Sequence, residues 1–193
     1  MSRLRIAEDR RKFTFYRLPQ EEREKIAAKL AEILREREEV EVALVFGGFV
    51  TSEVFRDIDV AVFTAYRVEE DRDYLYEDEL AEQLGKATGG IPVHVVMLDY
   101  APPKFTVTAI KQGKILVERK PGLIALLRWA AQTEINDFQA KREKLLGTTN
   151  QDKQTSQKTN NLPTGQVHKA RFRTNRTIIN IKIKKYTGNK EDF

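Results

Sequence analysis

The chain has 193 residues, 40% of them hydrophobic, which suits one domain with a sizeable core and a tail. It holds no cysteine, which excludes disulfides, thiolate metal sites and a cysteine nucleophile; with no leader-like apolar stretch and no run near the ~20 apolar residues that cross a bilayer, a cytoplasmic protein is expected. The net charge of +5 is uneven: residues 148–193 carry ten Lys/Arg against three Asp/Glu, which leaves residues 1–147 at about −2 and removes any whole-chain pI argument that the body binds nucleic acid.

Residues 1–17 are basic and irregular, with Phe13, Phe15 and Tyr16 alternating against polar neighbours, and read as an N-terminal strand or, the favoured reading, an arm. Leu18-Pro19 opens a helix predicted to reach about residue 38, since proline suits a first turn and Glu21 and Glu22 suit its positive end. Ile26, Leu30, Ile33 and Leu34 form its apolar stripe. Residues 40–46 are apolar and β-branched and stop at Gly47-Gly48, as a strand does. A second strand covers residues 58–63. Beyond a charged loop at 66–72, residues 74–86 read as a helix carrying Leu75, Leu80 and Leu84, ended by Gly89-Gly90. Pro92 starts a strand through His94; Ala101-Pro102-Pro103 breaks the chain before a helix over 104–112, Gly113 and a strand over 115–118. Pro121 opens the last helix, whose stripe is Leu123, Leu127, Ala131, Ile135 and Phe138 and whose end falls near 146–147.

Helices interspersed with strands over short loops predict an α/β (α+β) fold, a small mixed sheet covered by helices. About ten residues separate the strands 40–46 and 58–63, too few for a helical crossover, so that pair is expected to be antiparallel. Three segments follow: an arm at 1–17, a domain at 18–147 and a tail at 148–193. Asn and Gln number six before residue 148 and ten after it, and residues 148–166 are too poor in apolar side chains to offset their ordering entropy, so disorder is expected. Residues 172–186 alternate like a basic strand. Arg171, Arg173, Arg176, Lys182, Lys184 and Lys185 could neutralise nucleic-acid phosphates, although a solvated extension is the favoured reading.

The stretch FGGFVTSEVFRDIDVAVF, residues 46–63, carries the chemistry. Alternate residues of a strand share a face, so Asp57 and Asp59 lie side by side. Two adjacent carboxylates repel unless something positive joins them. Mg²⁺ takes oxygen ligands, binds through one or two carboxylates and completes its shell with water and phosphates. Gly47 and Gly48, without Cβ atoms, let their backbone N–H groups approach a phosphate. The bland alternative is a solvated acidic strand end.

Here the sequence resembles the minimal nucleotidyltransferase (MNT) domains of the DNA polymerase beta-like nucleotidyltransferase superfamily. The likeness rests on Gly47-Gly48 and Asp57-Ile58-Asp59 and continues in IPVHVVMLDYAPPKFTVTAIKQGKILVE, residues 91–118, covering roughly residues 19–118. It implies a nucleotidyltransferase fold and transfer of a nucleoside monophosphate, AMP from ATP above all, to a hydroxyl of a protein or small molecule. Asp57 and Asp59 would hold Mg²⁺, and the glycines would hold the nucleotide. Many such domains act as antitoxins beside a separate helical HEPN toxin, some by modifying a tyrosine of it. Three departures stand out. Gly48 replaces a phosphate-binding serine, so the hydroxyl contact is either missing or comes from Thr51 or Ser52. The loop to Asp57 holds eight residues rather than ten. His94 stands where the family places a third carboxylate, and it is either the general base or the mark of a nucleotide-binding regulatory protein that no longer turns over. Asp99 is a weaker candidate for that carboxylate, having the opposite parity on its strand. Tyr100, Lys104 and Lys111 lie near the expected site, where a lysine could neutralise the triphosphate, although solvated surface is the favoured reading of each; Trp129 is expected as core or partner-facing packing.

Overall fold

Side chains alternating along four strands give one sheet two apolar faces, and each face is covered by a pair of helices. The computed structural model describes residues 14–152. In chain order these form β1 (Tyr16–Arg17), α1 (Gln20–Glu36), β2 (Val42–Phe46), α2 (Gly48–Thr51), β3 (Val54–Phe55), β4 (Ile58–Phe63), α3 (Asp73–Ala87), β5 (Val93–Met97), α4 (Pro103–Gln112), β6 (Lys114–Glu118) and α5 (Leu123–Asp152). The main sheet runs β5-β4-β2-β6. It is mixed, with β2 antiparallel to β4 and β6 and with β4 parallel to β5.

Strand parity decides which residues meet which helices. Ala43, Val45, Ile58, Val60, Val62, Val93, Val95 and Met97 face α1 and α3, where Leu30, Leu34, Leu80 and Leu84 are buried against them. Val42, Leu44, Ala61 and Phe63 face the other way, onto Ala109 of α4 and Leu123, Ile124 and Leu127 of α5. The carbonyl of Pro19 accepts the first N–H groups of α1, from Glu22 and Arg23, at 3.1 and 3.2 Å. Gly113 closes the turn from α4 to β6 where an added Cβ would lie 2.6 Å from both the Ala109 carbonyl oxygen and Leu44 Cδ1.

Four expectations change. Tyr16–Arg17 is a strand that pairs antiparallel with β3, Tyr16 opposite Phe55 and Arg17 opposite Val54, because the Tyr16 ring finds Phe55 at 6.0 Å; residues 1–13 of the expected arm lie outside the described residues. The bend after β2 is a one-turn helix and a two-residue strand rather than a plain loop. Leu75 and Phe138 are exposed, since α3 begins and α5 ends beyond the reach of the sheet. Finally, α5 continues past Gly147 to Asp152, through residues expected to be disordered, while the rest of the tail, including 172–186, lies outside the described residues. Among the described residues no helix is long and apolar enough to cross a membrane.

Candidate nucleotide and metal site

The antiparallel pairing of β2 with β4 sets Asp59 directly opposite Phe46, so the acid pair lies beside the residue that leads into Gly47. Gly47 has φ 69° and ψ −152°, a conformation essentially reserved for glycine. An added Cβ there would run into Asp59 Oδ2, so the carboxylate rests against the bare α-carbon. Gly48 begins α2, where the opening N–H groups have no partner within the helix. Val50 and Thr51 donate their N–H groups to the Gly47 carbonyl, each at 3.1 Å, and this folds the turn back on itself.

Asp57 and Asp59 are both half-buried. Burial raises the Asp59 carboxyl above the usual carboxylate range, the charge of Asp57 raises it further, and His94 and Arg56 partly offset this. Arg56 Nε donates to Asp57 Oδ2 at 3.1 Å. His94 lies opposite Asp59 in the parallel register of β4 and β5 and is exposed. Two half-buried carboxylates in repulsion, all-oxygen donors and a glycine whose missing Cβ leaves room fit a hard divalent ion that takes further ligands from water and phosphate. Among the described residues no group of three or more His, Cys, Asp or Glu side chains could hold a metal.

Thr51 and Ser52 are placed differently from the glycines. They end α2, Thr51 Oγ1 donates to the Gly47 carbonyl at 3.0 Å, and both residues line a groove of about 650 Å³ with Arg17, Gln20, Arg23 and Glu53. Asp99 is a correction. Because β4 and β5 are parallel, the residues that follow them stand at the opposite end of the sheet from Asp59. Asp99, 2% exposed, accepts from Thr64 N–H at 2.9 Å, Thr64 Oγ1 at 3.1 Å and Tyr66 N–H at 2.6 Å there, organising a loop in which Ala65 and Tyr66 have positive φ. Tyr100 also belongs to that end, its hydroxyl donating to the Val68 carbonyl at 2.6 Å. Lys104 and Lys111 sit in the first and last turns of α4, and Trp129 is 53% exposed.

Two residues that matter here were missed. Arg23 is 9% exposed and donates to four backbone carbonyls, those of Leu18 at 3.1 Å, Phe49 at 2.8 Å, Ser52 at 2.7 Å and Glu53 at 2.7 Å, while its guanidinium lies 4.9 Å from the Phe55 ring. It clamps the far end of α2 and so holds the glycine turn in place. The signal was present: position 23 continues the buried row 27, 30, 34, and an arginine there needs acceptors. Arg56, next to the acid pair, is the second.

Residues 28–122 match the family model described as Polymerase beta, Nucleotidyltransferase. No curated protein matches the chain. Among solved structures, the complex of a tri-AMPylated Shewanella oneidensis HEPN toxin with MNT antitoxin is similar at 22% identity, TM-score 0.50, over 66% of this chain and 98% of that one. A mutant of the toxin–antitoxin MntA-HpeT is similar at 21% identity, TM-score 0.51, over 64% and 97%. A toxin–antitoxin with AMP-PNP is similar at 23% identity, TM-score 0.51, over 64% and 97%. At these identities the likeness is one of fold.

Proposed function

We propose, from the match of residues 28–122 to the Polymerase beta, Nucleotidyltransferase family, that the chain transfers AMP from ATP, with Mg²⁺, to a hydroxyl of a protein partner. The observation that carries this is the Asp59 carboxylate set against the bare α-carbon of Gly47, with Asp57 beside it. In this reading Asp57 and Asp59 hold the metal, and the N–H groups of Gly47 and Gly48 hold phosphate oxygens as the opening of α2. Bound Mg²⁺ would supply neutralisation of charge on the phosphates and on the departing pyrophosphate. His94, exposed opposite Asp59, takes the proton of the attacking hydroxyl on an imidazole nitrogen. Positioning of this kind supplies most of what phosphoryl-type transfer requires. A separate HEPN-type helical partner as the acceptor is supported by the similar folds, one seen as the MNT antitoxin in complex with a tri-AMPylated HEPN toxin and another in a toxin–antitoxin with AMP-PNP.

The test is transfer of label from [α-³²P]ATP to a HEPN-type partner, with wild type beside Asp57→Asn and Asp59→Asn. Label that needs Mg²⁺ and disappears in both variants supports the reading. A second reading, a regulatory antitoxin of the same fold that binds nucleotide without turnover, is favoured by His94 at the third-carboxylate position and by Gly48 in place of serine. Metal-dependent nucleotide binding with no transfer would select it.

A further inference from the structure

The face of the sheet that carries the acid pair also carries an aromatic pair that the proposed chemistry leaves unused. Phe46 stands directly opposite Asp59 in the antiparallel register and His94 stands opposite it in the parallel one, so the three side chains share a face. On that face the Phe105 ring of α4 meets the Phe46 ring edge to face, with centroids 5.5 Å apart and planes at 85°. Both rings are only partly buried, at the margin of a cluster in which Leu44, Ala61 and Ala109 are closed off from solvent. An edge-to-face contact uses one face of one ring, so the pair keeps flat apolar surface for a third ring.

The order across the strands decides what that surface meets. His94 lies on the β5 side of Asp59, and the Gly47–Gly48 turn lies on the β2 side. With the attacking hydroxyl at His94 and the departing pyrophosphate at the glycine turn, the line of displacement runs across the strands, because the attacking and leaving oxygens stand in line through the α-phosphorus. The nucleoside hangs from an oxygen off that line. Of the directions left to it, the one toward α4 offers contact rather than water, and the contact offered is the Phe105 ring beside Phe46.

Resting on the reading that Asp57, Asp59 and the glycine turn hold a metal-bound triphosphate, we propose that Phe105, backed by Phe46, is the platform on which the nucleobase stacks, and that this platform selects purine nucleotides by ring size. Every base has a π-face, and the larger purine covers more of an aromatic side chain than a pyrimidine does. Two phenylalanines bring no hydrogen-bonding atom with which to tell adenine from guanine. Adenine and guanine nucleotides are therefore held alike, and cytosine nucleotides more weakly.

The test is binding, measured by titration calorimetry on the full chain with Mg²⁺. The probes are the non-transferable α,β-methylene analogues of ATP, GTP and CTP and inorganic tripolyphosphate, which carries the charge without a base. In the wild type the ATP and GTP analogues should bind within about threefold of each other and the CTP analogue about fivefold more weakly or worse. Phe105→Leu keeps an apolar side chain under α4 but removes the ring; it should weaken the ATP analogue about five- to a hundredfold and leave tripolyphosphate unchanged. Phe105→Tyr keeps the ring and should stay within about threefold of wild type for every probe. A CTP analogue bound as tightly as the ATP analogue, or a Phe105→Leu chain in which ATP analogue and tripolyphosphate lose equally or not at all, overturns the platform while the acid-pair reading stands. A wild type that binds neither the nucleotides nor tripolyphosphate in Mg²⁺ overturns that reading and the platform with it.

Discussion

Asp59 is a carboxylate held where its own charge is unwelcome. Burial and the neighbouring Asp57 raise its folded pKa, so as pH falls the folded chain takes up this proton before the unfolded chain does. Asp59 therefore costs stability at neutral pH, and the cost is removed as pH drops through its folded pKa toward the unfolded value. Asp59→Asn is expected to stabilise the metal-free protein at pH 7 by on the order of 1 kcal/mol or less given solvent screening, which raises its melting temperature, and to reduce the gain seen on acidification while abolishing transfer. The slope should shrink rather than vanish, because burial also raises Asp99 and Glu77. Calorimetric scans at pH 7 and 5 measure this, and a lower melting temperature for the variant at pH 7 would contradict it. Gly47→Ala addresses the other side of the same contact. Its φ of 69° and the Asp59 oxygen in the path of a Cβ lead to an expected loss of about 1–3 kcal/mol in stability and about a hundredfold in transfer, since the turn must move to relieve the clash. A Gly47→Ala protein with wild-type kinetics would show that the cradle is not used.

At the scale of elements, a four-residue helix cannot hold itself together, and α2 is held from outside. Arg23 reaches from α1 to the carbonyls of Phe49, Ser52 and Glu53, with the Phe49 and Phe55 rings packed edge to face at 5.2 Å beneath. Arg23→Met should strand these acceptors, cost about 2–4 kcal/mol and speed hydrogen exchange over residues 48–55 more than elsewhere. Uniform exchange across the domain would argue that the clamp is not local. Asp99→Asn should cost about 1–3 kcal/mol through the Thr64–Tyr66 loop, because an amide turns a donor toward N–H groups that a carboxylate accepts; transfer should survive, as the loop stands at the far end of the sheet. These elements also mark how far the sequence could be read. The strands around Asp57, Asp59 and His94 were legible, because apolar alternation bounded by glycine and proline is a local property. So was the antiparallel pairing of β2 with β4, from loop length alone. The helix α2 was not, since FVTSE has the composition of a loop and becomes helical only under a clamp residing some thirty residues upstream. Asp99 could be given its parity but not its end of the sheet, which depends on β4 and β5 being parallel.

For the whole molecule, the sheet separates two sets of work. The ends of β2 and β4 that meet at Phe46 and Asp59 bear the candidate site, and the opposite ends carry Glu41, Thr64 and Asp99 in buried polar contacts. The helix α5 joins the core through Leu123, Ile124, Leu127 and Ala131 and then departs, leaving Phe138, Leu145 and Leu146 more than half exposed. A chain ending at Leu146 is accordingly expected to fold with a melting temperature within about 2 °C of the full chain, because every described residue packed on the sheet is retained. The same truncation examines the basic tail: if residues 147–193 bind nucleic acid, the full chain shows steep salt-dependent retention that the short chain lacks.

The pairing of Tyr16 and Arg17 with Phe55 and Val54 ties the first described strand to the very segment that connects the glycine turn to the acid pair. Whatever is fused, cleaved or docked just ahead of Tyr16 therefore pulls on that segment, about two residues from Asp57. A group fused directly ahead of Tyr16 is expected to disturb the proposed site from outside it, and transfer measured with and without such a group checks this.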